Sequence, residues 1–464
     1  MRKMISATLL LLMLTAGTSV SAQPRNVILF LGDGMGISTV TAARIHAGQL
    51  AGGKGEEHAL AFETFPNVAL VKTFAVDRQV PDSASTTSAI MTGHHGRFLV
   101  LNVDPSVEAD DCPGALARPL TTLLERAEQA GFKTGIVSTA RLTHATPAAT
   151  YAHSASRSWE HDALVPDQAK KQGCVDIARQ FVEFSHGDGI EVTLAGGRQE
   201  FLAANTPDPE YPGQFGLRQD GRNLVNEWLE SGKGRKYVWD MDQFAGLEAG
   251  TGGQVLGLFE PSHMQYEIDR RSTGENEPDI VQLTEFAIKH LANDDQGFFL
   301  MIEGGRIDHA HHGGNAARAL METVMMDRAV ARALELTDSD NTMIMVTADH
   351  SHVFTISGYP ERGNPILGTY TPSSDGMEPG LKERPYTTLA YANGPGYLPE
   401  LPDLSQVDTT DPDYRQYAGW PLASETHGGE DVAAYATGPG AERLRGVIEQ
   451  RRLYDVLAAA LFEE

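Results

Sequence analysis

Carboxylates and histidines in this chain collect where apolar runs end. Asn26-Val27-Ile28-Leu29-Phe30-Leu31 runs into Gly32-Asp33-Gly34-Met35-Gly36. Gly297 to Ile302 runs into Glu303-Gly304-Gly305-Arg306-Ile307-Asp308-His309-Ala310-His311-His312. Thr342 to Val346 runs into Thr347-Ala348-Asp349-His350-Ser351-His352, and Glu425-Thr426-His427-Gly428-Gly429-Glu430 stands immediately before Asp431 to Tyr435. Asp308 and His312 are four apart, so a helix would place both on one face, a workable geometry for two ligands of one zinc ion. Mixed Asp and His donors suit zinc, and an all-oxygen set of Asp, Glu and Thr suits magnesium. Each cluster also has an ordinary reading. Asp33 is either the anchor of a metal site or a turn aspartate capping the next helix, and surface histidines are common. Several such clusters at strand ends favour metal binding.

A serine offers a further chemistry. In Pro81-Asp82-Ser83-Ala84-Ser85-Thr86-Thr87-Ser88-Ala89-Ile90-Met91, Ser83 opens an expected helix. There it gains from the positive end of the helix dipole, or it simply caps the helix. No Gly-x-Ser-x-Gly elbow surrounds it, so a nucleophile here would be activated by metal rather than by histidine.

The elements that position these groups alternate. Strands are expected at Asn26 to Leu31, Gly135 to Ser138, Glu191 to Ala195, Gly297 to Ile302, Thr342 to Val346 and Asp431 to Tyr435. Helical patterns occupy Pro119 to Gly131, Asn315 to Leu336 and about Glu449 to Leu461. A run apolar throughout suits a strand buried on both faces, and strands alternating with helices imply a mostly parallel sheet between helical layers. Ligands of such sheets bind at the carboxyl ends of the strands, where Asp33 falls. Residues from about Asn205 to Gly253 read as loop-rich. The Gly-, Pro- and Tyr-rich stretch from Gly358 to Ser424 reads as an insertion before the last core strand.

The 464-residue chain begins with a basic Met1-Arg2-Lys3, a short apolar core and Val20-Ser21-Ala22. This is the pattern of a signal peptide over residues 1–22, which makes the product periplasmic or secreted. The apolar core is too short for a membrane span, and no lipid-anchor signal follows. Losing Arg2 and Lys3 takes the net charge from −25 to −27. So acidic a chain argues against a nucleic-acid scaffold and against anionic lipid surfaces, and its bulk charge reads as solubility. An exported chain whose only cysteines are Cys112 and Cys174 most simply forms one disulfide, two free buried thiols being the alternative.

In order and combination, these motifs resemble an alkaline phosphatase over nearly the whole mature sequence, 23–464. The carrying stretches are Leu31 to Gly36, Pro81-Asp82-Ser83-Ala84, His144-Ala145-Thr146-Pro147, Glu303 to Asp308, Thr347 to His350 and Thr426 to Asp431. The resemblance implies a three-layer αβα sandwich, a homodimer and a phosphoserine formed on Ser83. It implies one zinc on Asp308, His312 and His427, a second on Asp33, Asp349 and His350, and magnesium on Asp33, Thr146 and Glu303. Arg157 matches the arginine that clamps phosphate oxygens, a task its planar fork suits. The chain is more similar to the animal-type branch. His144 and His309 then stand behind the ligands, Cys112 and Cys174 match a disulfide, and a structural calcium is implied on Glu210, the Phe259 carbonyl, Glu260 and Glu277. The insertion at 358–424 resembles the crown region at the dimer interface, with Tyr359 reaching towards the partner's site. The expected substrates are phosphate monoesters of broad type. The rivals are a sister phosphodiesterase or sulfatase, and a non-catalytic metal or phosphate scavenger. Diesterases generally use threonine and lack an arginine at the Arg157 position, so Ser83 with Arg157 favours monoesters.

Overall fold

A computed structural model describes residues 25–274, 276–292, 296–372, 384–400 and 402–463. The expected signal peptide and part of the crown-like insertion lie outside these residues.

Ten strands form the central sheet: β1 Arg25–Gly32, β2 Asn67–Lys72, β3 Lys133–Arg141, β4 Val192–Gly196, β5 Lys236–Val238, β6 Val255–Leu258, β7 Gly297–Gly304, β8 Thr342–Ala348, β9 Val432–Thr437 and β10 Gly446–Glu449. Their spatial order is β10-β2-β9-β8-β1-β7-β3-β4-β6-β5. Flanking helices complete the expected αβα sandwich. The middle strands are the expected apolar runs. Val27 to Leu31 are fully buried, as a strand covered by helices on both faces must be.

Register explains why the polar clusters meet. Leu31 pairs with Glu303 and Gly32 with Gly304 on one side of β1. On the other side Leu31 pairs with Thr347 and Gly32 with Ala348. Ser138 of β3 pairs with Glu303. The chain therefore leaves β1, β3, β7 and β8 at one edge of the sheet. β9 runs antiparallel to both neighbours, with Ala434 opposite Thr347. Its beginning, not its end, lies at that same edge. This is why the His427 cluster precedes its strand while the others follow theirs.

Three local expectations change. The Pro119–Gly131 helix is shorter, Leu123–Gln129, because Thr122 caps it by accepting from the Glu125 amide. The stretch expected to be loop-rich holds β5 and the helices Leu224–Glu230 and Met241–Ala245, whose short apolar patterns fell below the length that signals an element. The sheet also gains β2, β6 and β10, of six, four and four residues.

Candidate metal centre and nucleophile

Asp33 sits in the turn after β1 and is fully buried. It is not a helix cap: the following helix, Ile37–Leu50, starts from Gly36, and no side chain caps it. Gly34 has φ +68, and a Cβ there would come within 2.2 Å of His352 Nε2, so only glycine fits the turn. The Gly34 amide donates to Asp349 Oδ1 at 3.0 Å, joining the turn after β1 to the one after β8.

Ser83 is the first residue of the Ser83–Thr92 helix, and the cap is Asp82, whose side chain accepts from the Ser85 amide. The capping reading of Ser83 therefore fails, and its hydroxyl is left for other work. Ser83 Oγ lies 3.4 Å from Asp33 Oδ1 and 3.2 Å from His350 Nε2. One turn on, Thr86 donates to Asp349 Oδ2 at 3.1 Å, fixing the serine's helix to that carboxylate. Arg157 donates from Nη1 to Asp82 Oδ2 at 3.1 Å and from Nη2 to His144 Nε2 at 3.0 Å. Its guanidinium thus stands beside the residue that precedes the serine.

The expected helix at Arg306–His312 forms and puts Asp308 and His312 on one face. His312 Nε2 is 3.3 Å from Asp308 Oδ1, His427 Nε2 is 3.4 Å from the same oxygen, and the two imidazole nitrogens are 3.2 Å apart. His350 Nε2 is 3.3 Å from Asp33 Oδ1 and 3.4 Å from Asp349 Oδ2. The outer nitrogens of all three rings face backbone carbonyls. His312 Nδ1 is 2.6 Å from the Glu425 oxygen, His427 Nδ1 is 2.8 Å from that of Pro81, and His350 Nδ1 is 3.2 Å from that of Ser351. A carbonyl only accepts, so each Nδ1 donates and each Nε2 lone pair points inward, the arrangement of metal-ligating histidines.

Glu303 accepts from Ser138 Oγ. Its Oε1, Thr146 Oγ1 and Asp33 Oδ2 are buried and make no hydrogen bond. Buried oxygens left in this way fit a cation among them. Electrostatics agree. Burial, then Asp308, Asp349 and Glu303, push Asp33 well up. Burial foremost, with Asp349 adding to it, pushes Glu303 up to about 8. Burial works against the charge of Asp308, yet His312, His352 and His427 together hold it well below the usual carboxylate range. Burial likewise opposes a proton on His312, but Asp308 prevails and pushes it up to about 10. The pocket attracts positive charge.

Among the described residues, potential ligand atoms lie within 4.8 Å of one another in four groups: Asp33-Asp349-His350, Asp33-His144-Glu303, Asp308-His350-His352-His427 and His312-His352-Glu425. Asp33 belongs to two of them. His352 and Glu425 had no assigned role in the sequence. His352 Nε2 is 2.9 Å from Asp308 Oδ1 and its Nδ1 is 2.6 Å from Glu425 Oε2, so the pair orients Asp308 from behind. Ser351–His352 pairs antiparallel with His427–Gly428, which sets His352 opposite His427. His263 was also missed. Its ring centroid is 4.0 Å from that of His309, which in turn is 5.2 Å from that of His144.

Two of the expected calcium ligands, Glu210 and the Phe259 carbonyl, meet on a buried arginine, and Glu260 and Glu277 act on each other electrostatically. Arg198 donates to the Phe259 carbonyl, and its Nη2 is 2.8 Å from Glu210 Oε2. Tyr211 donates to Glu260 Oε1 at 2.9 Å. Glu277 Oε2 is buried without a partner, and burial, then Glu260, pushes that carboxyl up to about 9.

A model of the alkaline phosphatase family matches residues 24–462. The chain belongs to the alkaline phosphatase family. It is 46% identical over 445 residues to the tissue-nonspecific alkaline phosphatase of Gallus gallus, covering 94% of this chain and 84% of that one. Against the tissue-nonspecific enzyme of Homo sapiens the figures are 44%, 94% and 83%. Among solved structures, the Thermus thermophilus alkaline phosphatase superposes with a TM-score of 0.67 at 23% identity, covering 97% of this chain and 96% of that one. As an alkaline phosphatase the chain is a metal-dependent phosphomonoesterase. Cys112 and Cys174 form the one expected disulfide.

Proposed function

We propose that this alkaline phosphatase hydrolyses phosphate monoesters of broad leaving-group type through a phosphoserine on Ser83. The carrying observation is the approach of Ser83 Oγ to Asp33 Oδ1 and His350 Nε2, at 3.4 and 3.2 Å, with Arg157 held on the adjacent Asp82. Asp308, His312 and His427 would hold one zinc, and Asp33, Asp349 and His350 the second, beside Ser83. Asp33, Thr146 and Glu303 would hold magnesium, the ion found in the M3 site of a solved variant of the Antarctic TAB5 alkaline phosphatase. Bound zinc supplies Lewis-acid charge that makes the serine hydroxyl acidic and stabilises the attacking and leaving oxygens of an in-line displacement.

The chain's own part is positioning. The Ser83 helix holds Oγ at its N-terminus, where the amide dipoles favour the oxyanion. Ser83 attacks phosphorus, the bond to the alcohol oxygen breaks, and water then cleaves the phosphoserine. Arg157 presents two parallel donors to the phosphoryl oxygens and keeps its orientation through Asp82 and His144. No residue is given a role towards the alcohol beyond its leaving oxygen, which supports broad specificity.

The structural calcium on Glu210, Phe259, Glu260 and Glu277 belongs to the same reading, and it would share Glu210 and the Phe259 carbonyl with Arg198. So does a secreted or periplasmic homodimer with a crown at 358–424. No described helix is long and apolar enough to cross a membrane.

Ser83→Ala tests the reading. The variant should fold and bind metals yet lose aryl monoester turnover by on the order of 10⁴-fold or more, as loss of a nucleophile does. Near-normal rates would remove Ser83 as nucleophile, and faster cleavage of the matching diester by the unaltered enzyme would overturn the monoester assignment.

A further inference from the structure

The segment that carries Arg157 is pinned by a histidine with no part in the metal cluster. His153 Nδ1 stands 3.0 Å from the Asn102 carbonyl oxygen, and its Nε2 stands 2.8 Å from Glu125 Oε1. Both partners are acceptors, so only an imidazolium, with a proton on each nitrogen, satisfies the two contacts. Glu125 does not supply the missing proton. Its Oε2 already accepts the Thr122 amide at 2.8 Å, and His153 and that amide outweigh burial to hold the carboxyl below its ordinary range. In return Glu125 overcomes the burial of His153 and raises its affinity for the proton.

Asn102 is a junction between the two halves of the proposed active site. It has φ +49, a conformation that asparagine tolerates better than most residues. Its amide donates to Ser88 Oγ at 2.9 Å, on the Ser83 helix. Its side chain donates to the carbonyls of Ala149 and Ala152 at 2.7 and 2.8 Å. Leu101 and Ser154 exchange backbone hydrogen bonds of 2.9 and 3.0 Å, and the Arg157 amide donates to the Leu99 carbonyl at 2.8 Å. The strip Leu99 to Asn102 thus binds the serine's helix to the arginine's segment. His153 fastens that segment both to the strip and to the Leu123–Gln129 helix.

The pair is within reach of solvent. Glu125 and His153 line a cavity of about 350 Å³ together with Glu183 and His186. His186 Nε2 is 3.3 Å from the same Glu125 oxygen. The titratable groups around His153 in that cavity are therefore Glu125 from its helix, Glu183 and His186 from the segment after the Ile177–Val182 helix, and Tyr151 from its own segment, whose phenol burial pushes well up so that it stays neutral.

We propose that His153 is a positioning residue for Arg157, holding the guanidinium in its phosphate-gripping place while protonated and loosening it when the proton leaves. This rests on the reading of Arg157 as the phosphate clamp. Under it, phosphate is gripped at lower pH and let go more readily as the solution becomes alkaline. Linkage makes the effect reciprocal: if the proton on His153 tightens phosphate binding, bound phosphate must tighten that proton by the same factor.

The test uses the metal-loaded enzyme with ¹³C-labelled histidine, the His153 resonance being assigned by its loss in His153→Gln. Saturating inorganic phosphate should raise the proton affinity of His153 by about fivefold, the lower range of such couplings. Glu125→Gln should shift the alkaline weakening of phosphate binding, measured by calorimetry, to lower pH and raise KM without lowering kcat. A His153 titration identical with and without phosphate overturns the positioning role. If Glu125→Gln fails to fold, the titration of the unaltered enzyme decides alone. Arg157→Ala separates the two claims. Unchanged phosphate affinity in that variant overturns the clamp reading and the proposal with it. Weakened affinity beside a phosphate-blind His153 overturns the proposal alone.

Discussion

A single carboxylate, Asp33, lies within ligand distance of two neighbouring groups, and its Oδ2 is buried without a hydrogen bond. Asp33→Ala should therefore empty two metal positions at once, which elemental analysis of the purified protein reads directly; full zinc and magnesium occupancy would contradict the placement. Glu303 gives a pH prediction. Pushed up to about 8, it is largely protonated at neutral pH in the metal-free protein and must lose that proton to ligate. Adding magnesium to metal-free enzyme near pH 7 should release protons, and affinity should rise with pH and level off above about 8; a pH-stat trace with no release would count against Glu303. Most of these residues were legible because each lies next to an apolar run. His352 and Glu425 were visible but mute: their work is to orient Asp308, and no spacing rule announces a residue that acts through another.

At the scale of elements, the disulfide shares a core with residues on either side of Arg157. Cys112 and Cys174 close a separation of 62 residues around a small core that includes Val100, Ala155 and Trp159, the last two flanking the arginine's segment. Replacing both cysteines by serine should cost about 4 kcal/mol in the chain-entropy account, seen as a lower urea midpoint. It should also raise KM more than it lowers kcat. An unchanged KM would show that this core does not steady the clamp. The central strands were legible because a run buried on both faces leaves no polar residue to blur it. β5 and β10, of three and four residues at the two edges of the sheet, are too short for that signal. The reversed direction of β9 was written in the position of His427 before its strand, and the reading of strands alternating with helices passed over it.

For the whole molecule, the homodimer reading predicts that sedimentation equilibrium returns the mass of two chains; a fully active species of one-chain mass would refute it. Tyr359, 66% exposed here, should gain protection from solvent in that dimer. The reversed strand has another consequence, in time rather than space. Asp33 leaves the first strand of the sheet, Thr146 and Glu303 come next, then Asp308, Asp349 and His350, and His427 arrives last, just before β9. The three proposed donor sets would thus be completed in a fixed order as the chain is made: the oxygen set first, the set beside Ser83 second, the Asp308 set last. A chain that stops short of His427 carries the proposed nucleophile and all but one of the proposed metal donors, yet cannot complete the third set. Metal content becomes a record of how much of the polypeptide was finished, and the hydrolytic centre cannot be complete before the protein nearly is.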